Sequence, residues 1–155
     1  MTMYDTDRQW LEAFIAAHDG LAGTVHRQEG DDLRLSAALN IPPPVLEAIA
    51  FVPRGKGMAG LAQVRAQPVQ TCNLQEDVSG QINPMAKLVG GQAAIALPLM
   101  RSDGSVRAVV GIAFGFEGEI NEAKQQQLVV GAATLTVDDT TDDTTDDTTD
   151  DVLSL

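Results

Sequence analysis

The run Gly55-Lys56-Gly57-Met58-Ala59-Gly60 has the G-x-G-x-x-G spacing that lets a backbone approach a pyrophosphate. Glu76 and Asp77 follow about 20 residues on, where a ribose-binding acid would stand. Such a site also needs a parallel strand running straight into the first glycine. Here Pro53 and Arg54 intervene, the preceding Leu46 to Ala50 reads at least as helical as extended, and no second βαβ unit follows. The plainer reading is a tight turn whose glycines let the backbone pack closely against a sheet. A P-loop is excluded, because Lys56 is followed by Gly57 and not by Ser or Thr.

The other reactive side chains are few. His18 and His26 fall in different elements without a zinc motif, so no metal site is expected; each reads first as solvated or core-satisfied, although His26, on the first strand, could reach a pocket. The single cysteine, Cys72, excludes an intramolecular disulfide. It has no neighbouring His or second Cys to lower its pKa and reads as a small buried hydrophobe, with a nucleophile as the alternative. Met58, Met85 and Met100 read as gap-filling core or as adaptable pocket wall.

The elements that position these residues follow from periodicity. Trp10, Leu11, Phe14 and Ile15 form one stripe of a helix within Asp5 to His18, with Gly20 as a stop. GTVHRQEG and DLRLSAAL alternate around Glu29-Gly30-Asp31-Asp32 and predict a β-hairpin. Pro42 to Pro44 lead into a short helix or turn over Val45 to Phe51. After the glycine turn come a small-residue helix around Leu61 to Ala66, a strand Val69 to Cys72, a polar loop and a helical pattern Pro84 to Val89. AAIALPLM and VRAVVGIAFG flank Ser102-Asp103-Gly104 and predict a second hairpin, apolar enough to be covered on both faces. Glu119 to Val137 reads as a C-terminal helix with Ala123, Leu128, Val129, Ala132, Ala133 and Leu135 inward and Gln125 to Gln127 outward. The class is α+β around an antiparallel sheet.

The 155 residues suit one domain, and 44% hydrophobic with 21% charged residues is a globular composition. The net charge of -12 is unevenly spread. Residues 138–151 read DDTTDDTTDDTTDD and hold 8 of the 22 acids, leaving 14 acids against 10 bases in residues 1–137, a net of -4. The expected organisation is therefore a domain over 1–137, an acidic low-complexity tail over 138–151 and a short end over 152–155. The tail reads as a solubilising segment; it lacks the glycines and fixed spacing of a dedicated calcium loop. No basic patch or nucleic-acid motif is present, which argues against a nucleic-acid partner. The apolar runs are far short of a membrane span and no signal peptide opens the chain, so a cytoplasmic location without membrane attachment is expected.

The pattern over roughly Asp5 to Leu135 resembles the GAF domain family. The segment GKGMAG, then LAQVRAQPV and NLQED, places Gly57, Gly60, Pro68, Val69 and Asp77 where such domains have a glycine turn, a helix, a short strand and an acidic loop. AIALPLMRSDGSVRAVVGIAFG looks like the family's hairpin, with Pro98, Gly104 and Gly111 at its strand and turn positions. The resemblance implies a central antiparallel sheet of about six strands, terminal helices on one face, and a pocket on the other closed by connecting helices and loops. It also implies binding of small molecules or a role as a dimerising relay module. The segment is most similar to free methionine sulfoxide reductases, whose chemistry needs thiols in the glycine turn and in the loop before the hairpin. Here the turn carries Met58 and Ala59, and Gln81 to Gln92 holds no Cys. Bilin attachment usually follows a Cys-His pair, whereas Cys72 precedes Asn73.

The expected function is a non-catalytic sensory or regulatory domain that binds a small molecule and signals through a separate protein; no cofactor is named. The candidate pocket is lined by Arg54, Met58, Cys72, Asp77, Met85 and Ile95, with Arg54 or Lys56 holding an anionic group and Asp77 an amine. The alternatives are a homodimerising adaptor with a vestigial pocket, and a thiol enzyme or reductase relative centred on Cys72 or lacking the family's cysteines.

Overall fold

A computed structural model describes residues 3–71, 93–116 and 118–135. The chain begins with α1 (Met3–Ala17), whose buried stripe is Leu11, Phe14 and Ile15. The helix ends where Gly20 N–H returns to the Ile15 carbonyl at 2.9 Å. Strands β1 (Ala22–Glu29) and β2 (Asp32–Leu39) form the expected hairpin, with Glu29 opposite Asp32 and Gly30 at φ +64° in the turn. Helix α2 (Pro43–Ile49) starts with proline in its first turn, where the missing N–H costs nothing.

Phe51 was expected to close a short helix or turn over Val45 to Phe51, and the structure places it in an edge strand, β3 (Phe51–Val52). The two residues pair with Arg34 and Leu33 of β2, a contact distant in sequence that overrides local preference. Helix α3 (Gly57–Arg65) begins within the glycine turn, earlier than its small-residue run suggests, and ends on Ala66 in the left-handed region. Then come β4 (Val69–Thr71), the hairpin of β5 (Ala94–Met100) and β6 (Val106–Ala113), and α4 (Glu122–Ala132). The Asn121 side chain caps α4 by accepting from Lys124 N–H at 2.8 Å. The expected Pro84 to Val89 helix lies outside the described residues, as does Cys72 at the end of the Val69 strand.

The six strands form one antiparallel sheet in the order β3-β2-β1-β6-β5-β4. Helices α1 and α4 pack on one face: Leu11, Phe14, Leu128 and Ala132 share a buried cluster with Val25, Leu97 and Val110. Helix α3 packs on the other face against Ala96, Val106 and Val109. Four residues expected inward are exposed. Val129 of α4 is exposed, because the buried stripe runs Leu128, Ala132, Leu135 at i, i+4, i+7 and turns Val129 away, while Ala123 and Ala133 are exposed too. Met100, expected in the core, sits exposed at the end of β5. Among the described residues, no helix is long and apolar enough to cross a membrane.

Candidate functional site

Side chains alternate between the two faces of a sheet, and here the faces differ in side-chain size. Toward α1 and α4 the central strands send Val25, Ile95, Leu97, Val110 and Ile112, which fill that side. Toward α2 and α3 the same strands place Ala22, Thr24, Ala94, Gly111 and Ala113. Protein interiors otherwise pack with few voids larger than a water molecule. Small residues on the floor therefore leave a cavity of about 190 Å³ between the sheet and the covering helices.

Val45, Ala48 and Ile49 of α2 form one wall. Phe51 to Pro53 continue it, and Lys56, Gly57, Met58 and Ala59 bring the start of α3 across the opposite side. The glycine turn sets that position. Gly55 and Gly57 adopt φ +82° and +62°, and a Cβ on Gly60 would lie 3.0 Å from the Gly55 backbone and the Pro53 carbonyl. The Arg54 amide donates to Asp32 Oδ1 at 3.0 Å, tying the turn to the start of β2. The G-x-G-x-x-G spacing thus serves close packing. The strand before it is antiparallel to its neighbour, which removes the dinucleotide-binding geometry.

The walls are chiefly apolar, and the polar side chains lining them among the described residues are Thr24, His26 and Lys56. Lys56 is exposed, so its ammonium stays in water at the mouth. His26 is 2% exposed. Ala22, Thr24 and His26 stand at i, i+2 and i+4 of β1, whose pairing with β6 is unbroken, so alternation sets His26 on the cavity face; the register shift with β2 leaves its extra residue, Ser36, on β2. The Nε2 of His26 lies 2.8 Å from the Ile49 carbonyl, which can only accept, so Nε2 carries the proton. Its Nδ1 is buried and has no hydrogen-bond partner among the described residues. Desolvation holds the imidazole below its ordinary pKa of 6.5, against the opposing pull of the Ile49 carbonyl. At neutral pH the ring is therefore uncharged, with an acceptor lone pair on Nδ1.

Of the residues expected to line a pocket, Met58 and Ile95 border this cavity. Ile95 packs its side chain into the opposite cluster, so its share of the wall is backbone. Arg54 is exposed and is not among the lining residues; its amide, not its guanidinium, has the structural role. Cys72, Asp77 and Met85 lie outside the described residues. The small floor residues and Thr24 were missed, although the signal was present: Ala94 and Ala96 alternate with Ile95 and Leu97, and Gly111 and Ala113 flank Ile112. Among the described residues, no group of three His, Cys, Asp or Glu side chains could hold a metal ion.

No family model and no curated protein matches the sequence. Solved structures do match. The GAF domain of the Acinetobacter phosphoenolpyruvate-protein phosphotransferase superposes with a TM-score of 0.67 at 16% identity, covering 86% of this chain and 79% of that one. The GAF domain/HD domain protein of Geobacter sulfurreducens gives 0.65 at 11% identity, covering 84% and 86%. The type II free methionine-R-sulfoxide reductase of Thermoplasma acidophilum gives 0.64 at 15%, covering 83% and 89%. At these identities the likeness is one of fold, and that fold carries both GAF domains and free methionine-R-sulfoxide reductases. The chain has the GAF fold.

Proposed function

We propose that this chain is a non-catalytic sensory or regulatory domain that binds a small molecule between the sheet and α2–α3, and passes its occupancy to a separate protein. The observation that carries this is the segregation of side-chain size between the two faces of the sheet, which leaves an apolar cavity with a few polar groups at its wall. Occupancy can shift the covering helices only if the ligand binds one arrangement of them more tightly than another. The residues that line the cavity among those described include no carboxylate and no thiol. The sequence has one cysteine, whereas the reductase chemistry that its glycine segment resembles needs two thiols.

A thermal-shift screen of a metabolite panel at millimolar concentration tests the proposal. At least one compound is expected to raise the melting temperature of the wild type and not of Ala94→Leu, whose longer side chain occupies the floor. No shift from any compound overturns the binding function. Turnover of free methionine sulfoxide with a dithiol reductant, lost in Cys72→Ala, overturns the non-catalytic assignment.

A second function is favoured by α4, where Val129 and Val130 are adjacent and exposed, Val130 to 67%. Their exposure suits a homodimerising adaptor, with α4 at the interface. Sedimentation at high micromolar concentration distinguishes it: a dimer that Val130→Glu dissociates supports the adaptor, and a monomer removes it.

A further inference from the structure

His26 is the one cavity-lining side chain, among the described residues, that is both polar and almost wholly buried. A buried polar atom without a partner costs free energy in the folded chain, and a ligand that supplies the partner recovers it. The Gln63 carboxamide also has a buried oxygen without a partner among the described residues, but its nitrogen donates to the Asp31 carbonyl and it does not line the cavity. His26 does. Its ring is fixed from one side by the bond to Ile49, which assigns the proton to Nε2 and leaves Nδ1 as an acceptor.

We infer that the cavity selects small, largely apolar compounds that carry an N–H or O–H donor, and that this donor is received by Nδ1 of His26; this rests on the binding function proposed above. Three observations fix the class. The floor and walls, from Ala22, Ala94 and Ala113 below to Val45 and Ile49 above, reward an apolar body. The volume of about 190 Å³ exceeds the cavity of about 150 Å³ that holds benzene in another protein, so a small bicyclic compound fits. Nδ1 discriminates, because a ligand with no donor leaves it unpaired, and a ligand that presents only an acceptor sets two lone pairs against each other. The lowered pKa of the ring keeps that acceptor available at neutral pH. Thr24, two residues before His26 on the same strand and also lining the cavity, has a hydroxyl that can serve a second polar atom of the ligand as donor or acceptor.

The chemistry differs from that expected on the sequence alone, in which Arg54 or Lys56 holds an anion. Arg54 does not line the cavity, and Lys56 reaches only its mouth. Recognition at the buried end is of an uncharged donor.

Isosteric pairs test this directly. Indole and benzofuran share size and shape, and only indole carries an N–H; phenol and toluene form a second pair that differs by an O–H. Dissociation constants from ligand-observed NMR titration of the full chain are expected to favour indole over benzofuran, and phenol over toluene, by about tenfold. In His26→Phe the preference falls to about onefold. In His26→Gln, whose carboxamide can donate to the Ile49 carbonyl and still present an oxygen, the preference for the donor persists. Both variants are checked for a folded circular-dichroism spectrum. Equal affinity within each pair in the wild type, or a preference that survives in folded His26→Phe, overturns the assignment to His26 and leaves the binding function standing. Absence of binding by all four compounds overturns the ligand class inferred here, while the binding function is overturned by the thermal-shift screen alone.

Discussion

The Asp7 carboxylate, wholly buried, accepts two hydrogen bonds from the Arg27 guanidinium, Nε to Oδ2 at 2.7 Å and Nη2 to Oδ1 at 2.6 Å. The Ser36 hydroxyl also donates to Oδ2. One side chain of α1 is thereby fastened to β1 and β2, and Ser36 is the extra residue that the β1–β2 register shift leaves on β2. Breaking a buried pair leaves a charge without compensation, whereas replacing both members by apolar side chains removes the desolvation cost as well. Asp7→Ala is expected to lose about 3 to 5 kcal/mol in urea unfolding. The double variant Asp7→Leu with Arg27→Met should lose less than the sum of its single variants. A loss under about 1 kcal/mol for Asp7→Ala, the size of an exposed pair, would show that the contact does not hold α1.

Gly60 lies inside α3, so helix propensity alone predicts that Gly60→Ala stabilises the chain by about 1 kcal/mol. The geometry predicts the opposite sign. The new Cβ meets backbone atoms of Gly55 and the Pro53 carbonyl at 3.0 Å, and backbone cannot rotate aside as a side chain can. A loss of about 1 to 3 kcal/mol is expected, measured from the urea midpoint at constant slope. A gain would mean that the turn is free to relax and that its glycines are not there for close approach.

Both hairpins were legible because local chemistry specifies them: Gly30 and Gly104 sit at φ +64° and +90° in turns between alternating or apolar runs. β3 was not legible, since two residues carry no period and Phe51–Val52 becomes a strand only by pairing with β2. The cavity was half legible. The β5–β6 runs were read as apolar on both faces, and they are, but the decisive property is size: Ala94 and Ala96 on one face, Ile95 and Leu97 on the other. His26 was left open because alternation sets it on the face of Ala22 and Thr24, but which face of the sheet holds the cavity depends on how α2 and α3 cover it, and that is not visible in one strand. Arg54 misled because its charge drew attention, while its amide makes the structural bond.

Acid should weaken the fold through His26. Its folded-state pKa lies below 6.5 because of burial, and the unfolded ring returns to 6.5. Between those two values the unfolded chain binds more protons, so stability rises with pH through that window and is complete above 6.5. His18 adds a slope of the same sign, from desolvation first and then the Lys124 charge. Among the described residues, the charged side chain that lines the cavity with His26 is Lys56, at its mouth. The His18 contribution is common to wild type and His26→Phe, so the difference between them isolates His26. Urea unfolding between about pH 7.5 and about pH 5 should show the larger loss in the wild type. Equal losses would place the titration elsewhere.

The cavity itself can be read through a substitution that fills it. Ala94 is buried on its floor, in the same cluster as Ala22 and Ala113 and against Met58. Leu at this position projects three further carbons toward the open volume. In a filled core such an addition costs about 1 to 3 kcal/mol, because neighbours are driven off their rotamers. In open apolar space each buried methylene contributes about 0.8 kcal/mol, less the side-chain entropy lost on ordering the new group. Ala94→Leu is therefore expected to gain about 1 kcal/mol and to raise the melting temperature by several degrees. The same variant should no longer be stabilised by any compound that stabilises the wild type. A destabilised variant that still binds such a compound would place the ligand away from the floor of the sheet, and with it the function proposed for this face.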